Sequence, residues 1–114
     1  MNSECVFCRI VAGTIPAKRV YEDDVCLGFA DIHPAAPTHL LLISKQHIKS
    51  LAEVGAEHAA MLGHMVGKAA EMAQTAGLGR GFRLVINTGE DGGQTVDHLH
   101  MHVLGGRHMS WPPG

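Results

Sequence analysis

The first half of the chain alternates short apolar runs with turn residues, which predicts one short helix followed by three strands. Apolar residues at helical spacing between Cys5 and Val11 predict a helix that Ser3 caps and that ends near Gly13 and Pro16. The strands are predicted over residues 19–22, 25–30 and 39–44, with a turn at residues 23–24 and a proline-containing loop over residues 31–37. The third strand is so uniformly apolar that we expect it to be buried on both faces.

The second half predicts one long helix followed by two strands. Ser50 and Glu53 fit a capping box, and after a break at Gly55 the helix runs from about residue 56 to residue 76 and ends at Gly77. Its apolar stripe consists of Met61, Leu62, Met65, Val66, Ala69, Ala70 and Ala73. Strands are predicted over residues 82–87 and from about residue 96 to residue 104. This order of elements indicates an α+β fold, an antiparallel sheet with helices packed on it.

Composition narrows the class of protein. The 114 residues are 46% hydrophobic and 18% charged, so we expect one globular domain spanning residues 1–114. A formal net charge of −2 argues against a basic face for DNA or RNA. We find no secretory signal, and the longest central apolar run, residues 40–43, is too short to span a membrane. Three cysteines, an odd number, favour a reducing compartment, and we expect a cytoplasmic protein without a membrane partner.

Three of the nine histidines alternate along the last predicted strand, at His98, His100 and His102. Alternation places them on one face about 6–7 Å apart, with Leu99 and Met101 on the opposite face. Without any functional role, the three histidines would simply form a solvent-facing polar strand. Two functional explanations remain, a catalytic zinc site and a nucleophilic imidazole whose neighbours bind the anion that it attacks. Because the outer two diverge by about 13 Å along a flat strand, the spacing favours the nucleophile.

A glycine-rich segment, residues 87–96, precedes the histidines and could hold a phosphate through Thr95 and backbone N–H groups. Such a loop between two strands is usually only a turn. Beside three histidines, a role in binding an anionic substrate becomes the better interpretation.

The spacing Gln94-x-x-x-His98-x-His100-x-His102 resembles the histidine-triad (HIT) superfamily. Further stretches resemble its Hint branch rather than its dinucleoside-polyphosphate hydrolases, and the resemblance covers essentially the whole chain. These stretches are Cys5–Ile10 with Ile15–Ala17, Asp31-x-x-Pro34-x-Ala36-Pro37-x-His39, Gly105–Arg107, and the ending Trp111-Pro112-Pro113-Gly114.

The resemblance implies a five-stranded antiparallel sheet with one long and one short helix, extended across a homodimer. It also implies hydrolysis of purine nucleoside 5′-phosphoramidates, such as adenosine 5′-monophosphoramidate. His100 would be the nucleophile and form a nucleotidyl-histidine intermediate, with His102, His39 and His98 as the other catalytic histidines. His39 would support the active-site histidines.

The nucleotide-binding residues are likewise implied by the resemblance. His102, Asn87, Thr95 and the backbone from Gly93 through Gln94 to Val96 would hold the phosphate. Asp31 would bind the ribose. The base would lie among Phe7, Ile10, Ile15 and Ile32, and Trp111 would reach toward the partner's site and influence the leaving group.

Cys5-x-x-Cys8 is a weak motif by itself, typical of redox pairs, metal sites or chance. Some bacterial HIT proteins bind structural Zn²⁺ through such a pair and two histidines, which by position would be His47 and His98 here. Two buried free thiols are the alternative.

Two other functions stay open at this stage. One is a nucleotide-binding interaction or regulatory protein whose hydrolysis is incidental, and the other is a hydrolase that holds zinc with the triad itself. The resemblance does not identify the base, the physiological substrate, or a role for His33, which lies beside the expected ribose contact.

Overall fold

The computed structural model describes residues 4–114, and these form one five-stranded sheet, two α-helices and two 3-10 turns. The elements in chain order are α1 (Val6–Ala12), β1 (Arg19–Glu22), β2 (Cys26–Ala30), β3 (Thr38–Ser44), the 3-10 turns Leu51–Glu53 and Ala56–His58, α2 (Ala59–Thr75), β4 (Phe82–Val85) and β5 (His100–Gly105). The predicted α+β class, with one short and one long helix, is confirmed.

The sheet is antiparallel throughout, with the strand order β1-β2-β3-β5-β4. The apolar strand β3 lies at its centre, paired with β2 on one side and β5 on the other. Along β5, His100 lies opposite Ile43 and His102 lies opposite Leu41. Strands β1 and β4 are the two edges of the sheet in this chain.

Each face of the sheet carries its own apolar cluster. Helix α2 covers one face, where Met65 and Met72 pack against Leu42 and Met101. Helix α1 covers the other face, where Phe7 and Ile10 pack with side chains that include Leu27, Phe29, Leu41 and Ile43. Because strand residues alternate between faces, burial of Met101 beneath α2 leaves His100 and His102 on the α1 face.

Both ends of helix α1 are capped by hydrogen bonds to its backbone groups. The Cys5 Sγ accepts a hydrogen bond from the Cys8 N–H at 3.4 Å, so a cysteine is the N-cap. Ser3, the predicted cap, lies outside the described residues. At the other end Gly13 has φ of 81° and donates back to the last helical turn, a conformation that favours glycine.

The predicted apolar stripe of α2 is wrong at two positions. Val66 is 45% exposed and Ala70 is also exposed, whereas Met72, outside the predicted stripe, is buried. A helix that lies on one sheet covers a narrow stripe, and residues at its margins stay in solvent. Neither α2 nor another helix within residues 4–114 has the length and apolar character needed to cross a bilayer.

The last two strands are shorter than predicted. Strand β4 ends at Val85 rather than at residue 87, and β5 begins at His100 rather than near residue 96. Just before β5 the Leu99 N–H donates to the Ile48 carbonyl at 2.7 Å, and the Ser44 N–H donates to the Leu99 carbonyl at 3.3 Å. These bonds to the end of β3 and the loop beyond it replace a regular ladder, so His98 precedes the strand.

Candidate active site

His100 is buried and has a defined tautomer. Its Nδ1 lies 2.6 Å from the carbonyl oxygen of His98. A carbonyl only accepts, so in the neutral imidazole the proton is on Nδ1 and the lone pair is on Nε2. The Phe7 ring packs edge-on against the imidazole, with centroids 5.1 Å apart. His100 thus has the protonation pattern of a nucleophile whose reactive atom is Nε2.

A chain of hydrogen bonds also fixes the tautomer of His102. The Ala35 N–H donates to His39 Nδ1 at 2.9 Å, so the proton of a neutral His39 is on Nε2. That Nε2 lies 2.9 Å from His102 Nδ1 and 3.3 Å from Asp31 Oδ2. His102 therefore accepts at Nδ1 and carries its own proton on Nε2.

The pKa of His102 is lowered to about 4. Burial is the main cause, and the neighbouring His100 and His39 act in the same direction, while Asp31 opposes them. His102 is consequently neutral near pH 7, where its Nε2–H is a donor without a charge.

His100 and His102 both line a pocket of about 350 Å³ between α1, the sheet and the loop that precedes β5. Most of the residues predicted to contact a nucleotide line it as well: Phe7, Ile10, Ile15, Asp31, Ile32, Thr95 and Val96. The lining combines many apolar side chains with the two imidazoles and a carboxylate, a composition that suits a ligand with both an apolar and a polar part.

Sequence reasoning missed several apolar residues of this pocket, among them Phe29 and Leu41. Leu41 lies opposite His102 on β5, and Phe29 lies opposite Leu41 on β2. The register of the strands would have placed both residues on the histidine face, but that register follows from pairings distant in sequence. His33, whose role the sequence left open, also lines the pocket.

Four residues expected at the nucleotide lie outside the pocket lining: Asn87, Gly93, Gln94 and Trp111. The Gln94 side chain holds the loop together, since its Oε1 accepts from the Gly89 N–H while its Nε2 donates to the carbonyls of Lys49 and Val96. The Gly93 N–H donates to Glu90 within the same loop. Trp111 is 82% exposed.

The N-terminal cysteines and two histidines form a second cluster beside the pocket. Ligand atoms of Cys5, Cys8, His47 and His98 all lie within 4.8 Å of one another. His98 Nδ1 is 3.2 Å from the Cys5 Sγ, 3.6 Å from the Cys8 Sγ and 3.2 Å from His47 Nδ1, and the Cys8 Sγ is 3.2 Å from His47 Nδ1. These four residues lie close enough to hold a metal ion.

The geometry and chemistry of this cluster fit zinc. Usual Zn–S and Zn–N bond lengths give a tetrahedron whose edges are about 3.3–3.8 Å, close to the separations observed. His98 Nε2 lies 2.6 Å from the Ser44 carbonyl and therefore donates to it, which leaves a lone pair on Nδ1 toward the thiols. Burial lowers the pKa of His98 and keeps that imidazole neutral, the form that binds metals.

The three histidines of the motif do not share a site. Both ring nitrogens of His98 are used, one by Ser44 and the other toward the cysteines. His100 Nδ1 contacts a carbonyl and His102 Nδ1 contacts His39. The side chains therefore divide between a candidate metal cluster and a candidate catalytic pocket, an arrangement unsuited to one ion held by all three.

Comparisons with known proteins agree with this fold and these motifs. The family described as scavenger mRNA decapping enzyme C-term binding matches residues 4–111. A HIT-like protein of Synechococcus elongatus is 53% identical over the full length of both chains. Protein HitA of Neisseria gonorrhoeae is 54% identical over 89% of this chain and 94% of its own.

A solved structure shows the same similarity. A HIT family hydrolase from Legionella pneumophila superposes with a TM-score of 0.94 at 49% identity and covers 96% of this chain and 99% of its own. The chain therefore belongs to the histidine-triad family. Within that family it is of the Hint type, as its N-terminal cysteine pair and its ending at Trp111–Gly114 predict.

Proposed function

We propose that the protein hydrolyses purine nucleoside 5′-phosphoramidates, such as adenosine 5′-monophosphoramidate, through a covalent nucleotide on His100. The hydrogen bond from His100 Nδ1 to the His98 carbonyl carries this proposal, because it leaves Nε2 as the nucleophilic atom in a pocket lined by both apolar and polar side chains. Similarity to the Legionella protein, a HIT family hydrolase, supports the reaction class.

In the first step the Nε2 lone pair attacks the α-phosphorus. The Nε2–P bond forms while the P–N bond of the substrate breaks, and the electron pair of that bond leaves with the amine. The departing nitrogen takes up a proton from solvent water, so that a neutral amine is released. The imidazole, now bonded at both nitrogens, is positive, and the His98 carbonyl that accepts from Nδ1 stabilises this charge.

In the second step water attacks the same phosphorus on the nucleotidyl-histidine. A P–O bond forms, the P–Nε2 bond breaks, and its electron pair returns to Nε2 as the lone pair. The attacking water gives a proton to the solvent, which replaces the one taken up in the first step, and the nucleoside monophosphate leaves. His100 is then ready for another cycle, with Nδ1 still protonated.

The neighbouring residues bind and orient the nucleotide. The His102 Nε2–H donates to a non-bridging phosphate oxygen, where negative charge develops during attack. The Asp31 Oδ1 accepts from the His33 N–H, but each carboxylate oxygen has two lone pairs and can also accept from a ribose hydroxyl. Phe7, Ile10, Ile15 and Ile32 enclose the purine.

Loop residues complete the phosphate site. Thr95 and Val96 line the pocket, and within residues 4–114 their N–H groups are not among the hydrogen bonds that hold the loop together. The amide of Gln94 fixes this loop against Lys49, so it supports the wall of the site. Asn87 and Gly93 act with this loop on the phosphate.

Replacing His100 tests the reaction directly. We expect His100→Ala to lower kcat for adenosine 5′-monophosphoramidate by roughly a thousandfold or more, because no other group supplies the nucleophile. The dissociation constant for adenosine monophosphate should change by less than about threefold, since His102 and Asp31 remain. Mass spectrometry of wild-type protein quenched during turnover should find a nucleotidyl group on His100.

His58→Gln is the matched control, because His58 accepts a hydrogen bond from the Gly55 N–H and is not among the residues that line the pocket. It should keep wild-type kcat. Near-normal turnover by His100→Ala, or a quenched enzyme without a nucleotidyl adduct, contradicts the mechanism.

The cluster of two cysteines and two histidines would hold structural Zn²⁺ through Cys5, Cys8, His47 and His98. When bound, the ion ties α1 to the loop after β3 and to the segment before β5. We expect about one zinc per chain in protein purified without added metal, measured by atomic emission. A content near zero would leave two free thiols as the correct interpretation.

The proposed functional unit is a homodimer in the cytoplasm, with a small purine nucleotide as substrate and no nucleic acid partner. The edge strand β4 offers the backbone for joining two sheets. Exposed Trp111 would reach toward the partner's pocket and influence the leaving group.

A further inference from the structure

The three cysteines differ in how easily a molecule in solvent can reach their sulfur atoms. Cys5 is partly exposed and lines an open surface pocket of about 460 Å³ together with His47 and Lys49. Cys8 and Cys26 are almost fully buried, with exposures of 1% and 0%. A small oxidant in solvent therefore meets the sulfur of Cys5 before it meets the other two.

Cys5 and Cys8 lie close enough to react with each other. The Cys8 N–H donates to the Cys5 Sγ at 3.4 Å, and the two sulfurs approach the same atom, His98 Nδ1, at 3.2 and 3.6 Å. The backbone of Cys5 is extended rather than helical, so its side chain can turn toward Cys8 without unwinding α1. Cysteine pairs with the spacing C-x-x-C commonly form a disulfide.

Cys26 has neither of these features. It lies in the apolar cluster between the sheet and α2, and its Sγ is 3.5 Å from the carboxylate of Asp23. Burial and this carboxylate raise the pKa of Cys26 to about 12, so its sulfur remains a thiol, the form that reacts slowly with oxidants. Cys26 is therefore an internal reference for oxidation elsewhere in the chain.

We infer that Cys5 and Cys8 form a modification site for hydroperoxides, at which oxidation of the pair to a disulfide releases the metal. The inference rests on the proposed zinc site, because cysteines bind zinc as thiolates, and the thiolate is the form that peroxides oxidise. A disulfide is neutral and removes two of the four ligands. His47 and His98 alone are too few for an ion that is normally four-coordinate.

The oxidation has two steps, and the hydroperoxide is the only oxidant. In the first step the Cys5 thiolate attacks one peroxide oxygen. The S–O bond forms, the O–O bond breaks, and the other oxygen leaves as hydroxide or alkoxide, which takes a proton from water. In the second step the Cys8 thiolate attacks the sulfur of the Cys5 sulfenic acid, the S–S bond forms, and hydroxide leaves as the S–O bond breaks. The two sulfurs lose two electrons, which the peroxide gains.

Peptide mapping of the oxidised protein tests this site. The protein as purified is treated with hydrogen peroxide, its remaining thiols are blocked with N-ethylmaleimide, and it is cut with trypsin. Cleavage leaves Cys5 and Cys8 together in residues 1–9, whereas Cys26 falls in residues 20–45. A disulfide makes the first peptide two hydrogen masses lighter and leaves it without the blocking group. A chromogenic chelator measures released zinc in the same samples.

We expect the disulfide and the released zinc to appear together, one zinc for each disulfide, while Cys26 stays reduced. An excess of a thiol reductant with added zinc should reverse both changes. The matched variant is Cys5→His, which keeps a metal ligand but removes the partner thiol. It should release zinc at least about tenfold more slowly at the same peroxide concentration. Cys26→Ala should behave as wild type.

Wild-type protein whose residues 1–9 stay reduced, or gain oxygen atoms in place of a disulfide, overturns the inference. A disulfide that forms while the zinc stays bound also overturns it. These measurements on wild type decide the matter even if Cys5→His does not fold. Failure of the proposed zinc site has a different signature, namely protein that contains no zinc before peroxide is added. In that case the mass of residues 1–9 still shows whether the disulfide forms, and its absence overturns the inference.

Discussion

The side chains of His102 and Asp23 are both kept in one protonation state, but by different causes. Burial and two neighbouring imidazoles disfavour the charged form of His102, whose pKa falls to about 4. For Asp23, burial would raise the pKa, but hydrogen bonds from Tyr21, His64 and two backbone N–H groups outweigh it and lower the pKa well below the usual range. His102 is thus kept neutral, whereas Asp23 is kept ionised and accepts from the Val25 and Cys26 N–H groups in the β1–β2 turn.

The lowered pKa of His102 predicts how stability depends on pH. In the unfolded chain a histidine binds a proton near pH 6.5, whereas folded His102 does so only near pH 4, so the unfolded state binds more protons between these values. The free energy of unfolding should therefore fall as the pH decreases from about 6.5 to about 4, and His102 should contribute no further loss below that range.

Urea unfolding of wild type and His102→Gln at several pH values measures this contribution. The other groups that titrate are common to both proteins, so the difference in their pH slopes reports on His102. Equal slopes between pH 4 and pH 6.5 would contradict the assigned shift.

At the same scale, alternation along β5 is enough to predict that His100 and His102 lie on one face while Met101 faces the α2 core. The direction of each ring is not predictable, because it depends on partners far along the chain. His98 O, Ala35 N–H and Ser44 O are backbone atoms of loops or strand ends, and no side-chain pattern marks them. Gln94 is recognisable from its spacing, but its bonds to Lys49 and Gly89 also depend on tertiary structure.

At the scale of elements, the strands with strong local signals lie where the hydrophobic pattern predicts them. Strands β1, β2 and β3 agree with prediction to within one residue at each end. Strand β5 starts later than predicted because Leu99 bonds to Ile48 and Ser44, a contact that local periodicity does not encode. The exposed Val66 on α2 was also predicted to be buried, because the spacing of apolar residues does not show how wide a stripe of the helix the sheet covers.

The space around two strand glycines shows how tightly α2 and the turn after it pack on the sheet. A Cβ at Gly105 would lie 2.7 and 2.8 Å from the two δ-methyl groups of Leu78, whereas a Cβ at Gly28 would lie 2.6 Å from the terminal methyl of Met72. Leu78 is branched and buried, while the end of Met72 is flexible. We expect Gly105→Ala to lower the free energy of unfolding by about 1–3 kcal/mol and Gly28→Ala to lower it by less.

Chemical denaturation of the two glycine variants side by side checks this order. A larger loss for Gly28→Ala would mean that the methionine cannot move aside, and that the packing beneath β2 is the more rigid.

At the scale of the whole molecule, the two edges of the sheet are alike in presenting an apolar side chain to solvent. Each edge strand carries an exposed apolar residue, Phe82 at 41% on β4 and Val20 at 47% on β1. Unpaired edges invite pairing with another chain, and the proposed homodimer uses β4. We expect wild-type protein to elute with twice the mass of one chain, and Phe82→Asp, which places like charges across the interface, to elute as a single chain.

Light scattering during size exclusion measures both masses, and Val20→Asp on the opposite edge is the matched control. That variant should remain a dimer, and far-ultraviolet circular dichroism should show that both variants keep their secondary structure. Dissociation by Val20→Asp but not by Phe82→Asp would assign the interface to β1 instead.

The position of the Phe7 ring restricts how the histidines can be reached from the side of α1. It packs edge-on against His98, His100 and Phe29 at once, with centroids 5.7, 5.1 and 5.8 Å away. Lifting α1 from the sheet would therefore uncover both imidazoles together and dismantle one wall of the pocket in the same movement. Ile32, which also lines the pocket, is 87% exposed, so entry of the proposed nucleotide on that side would leave the seven-residue helix in place.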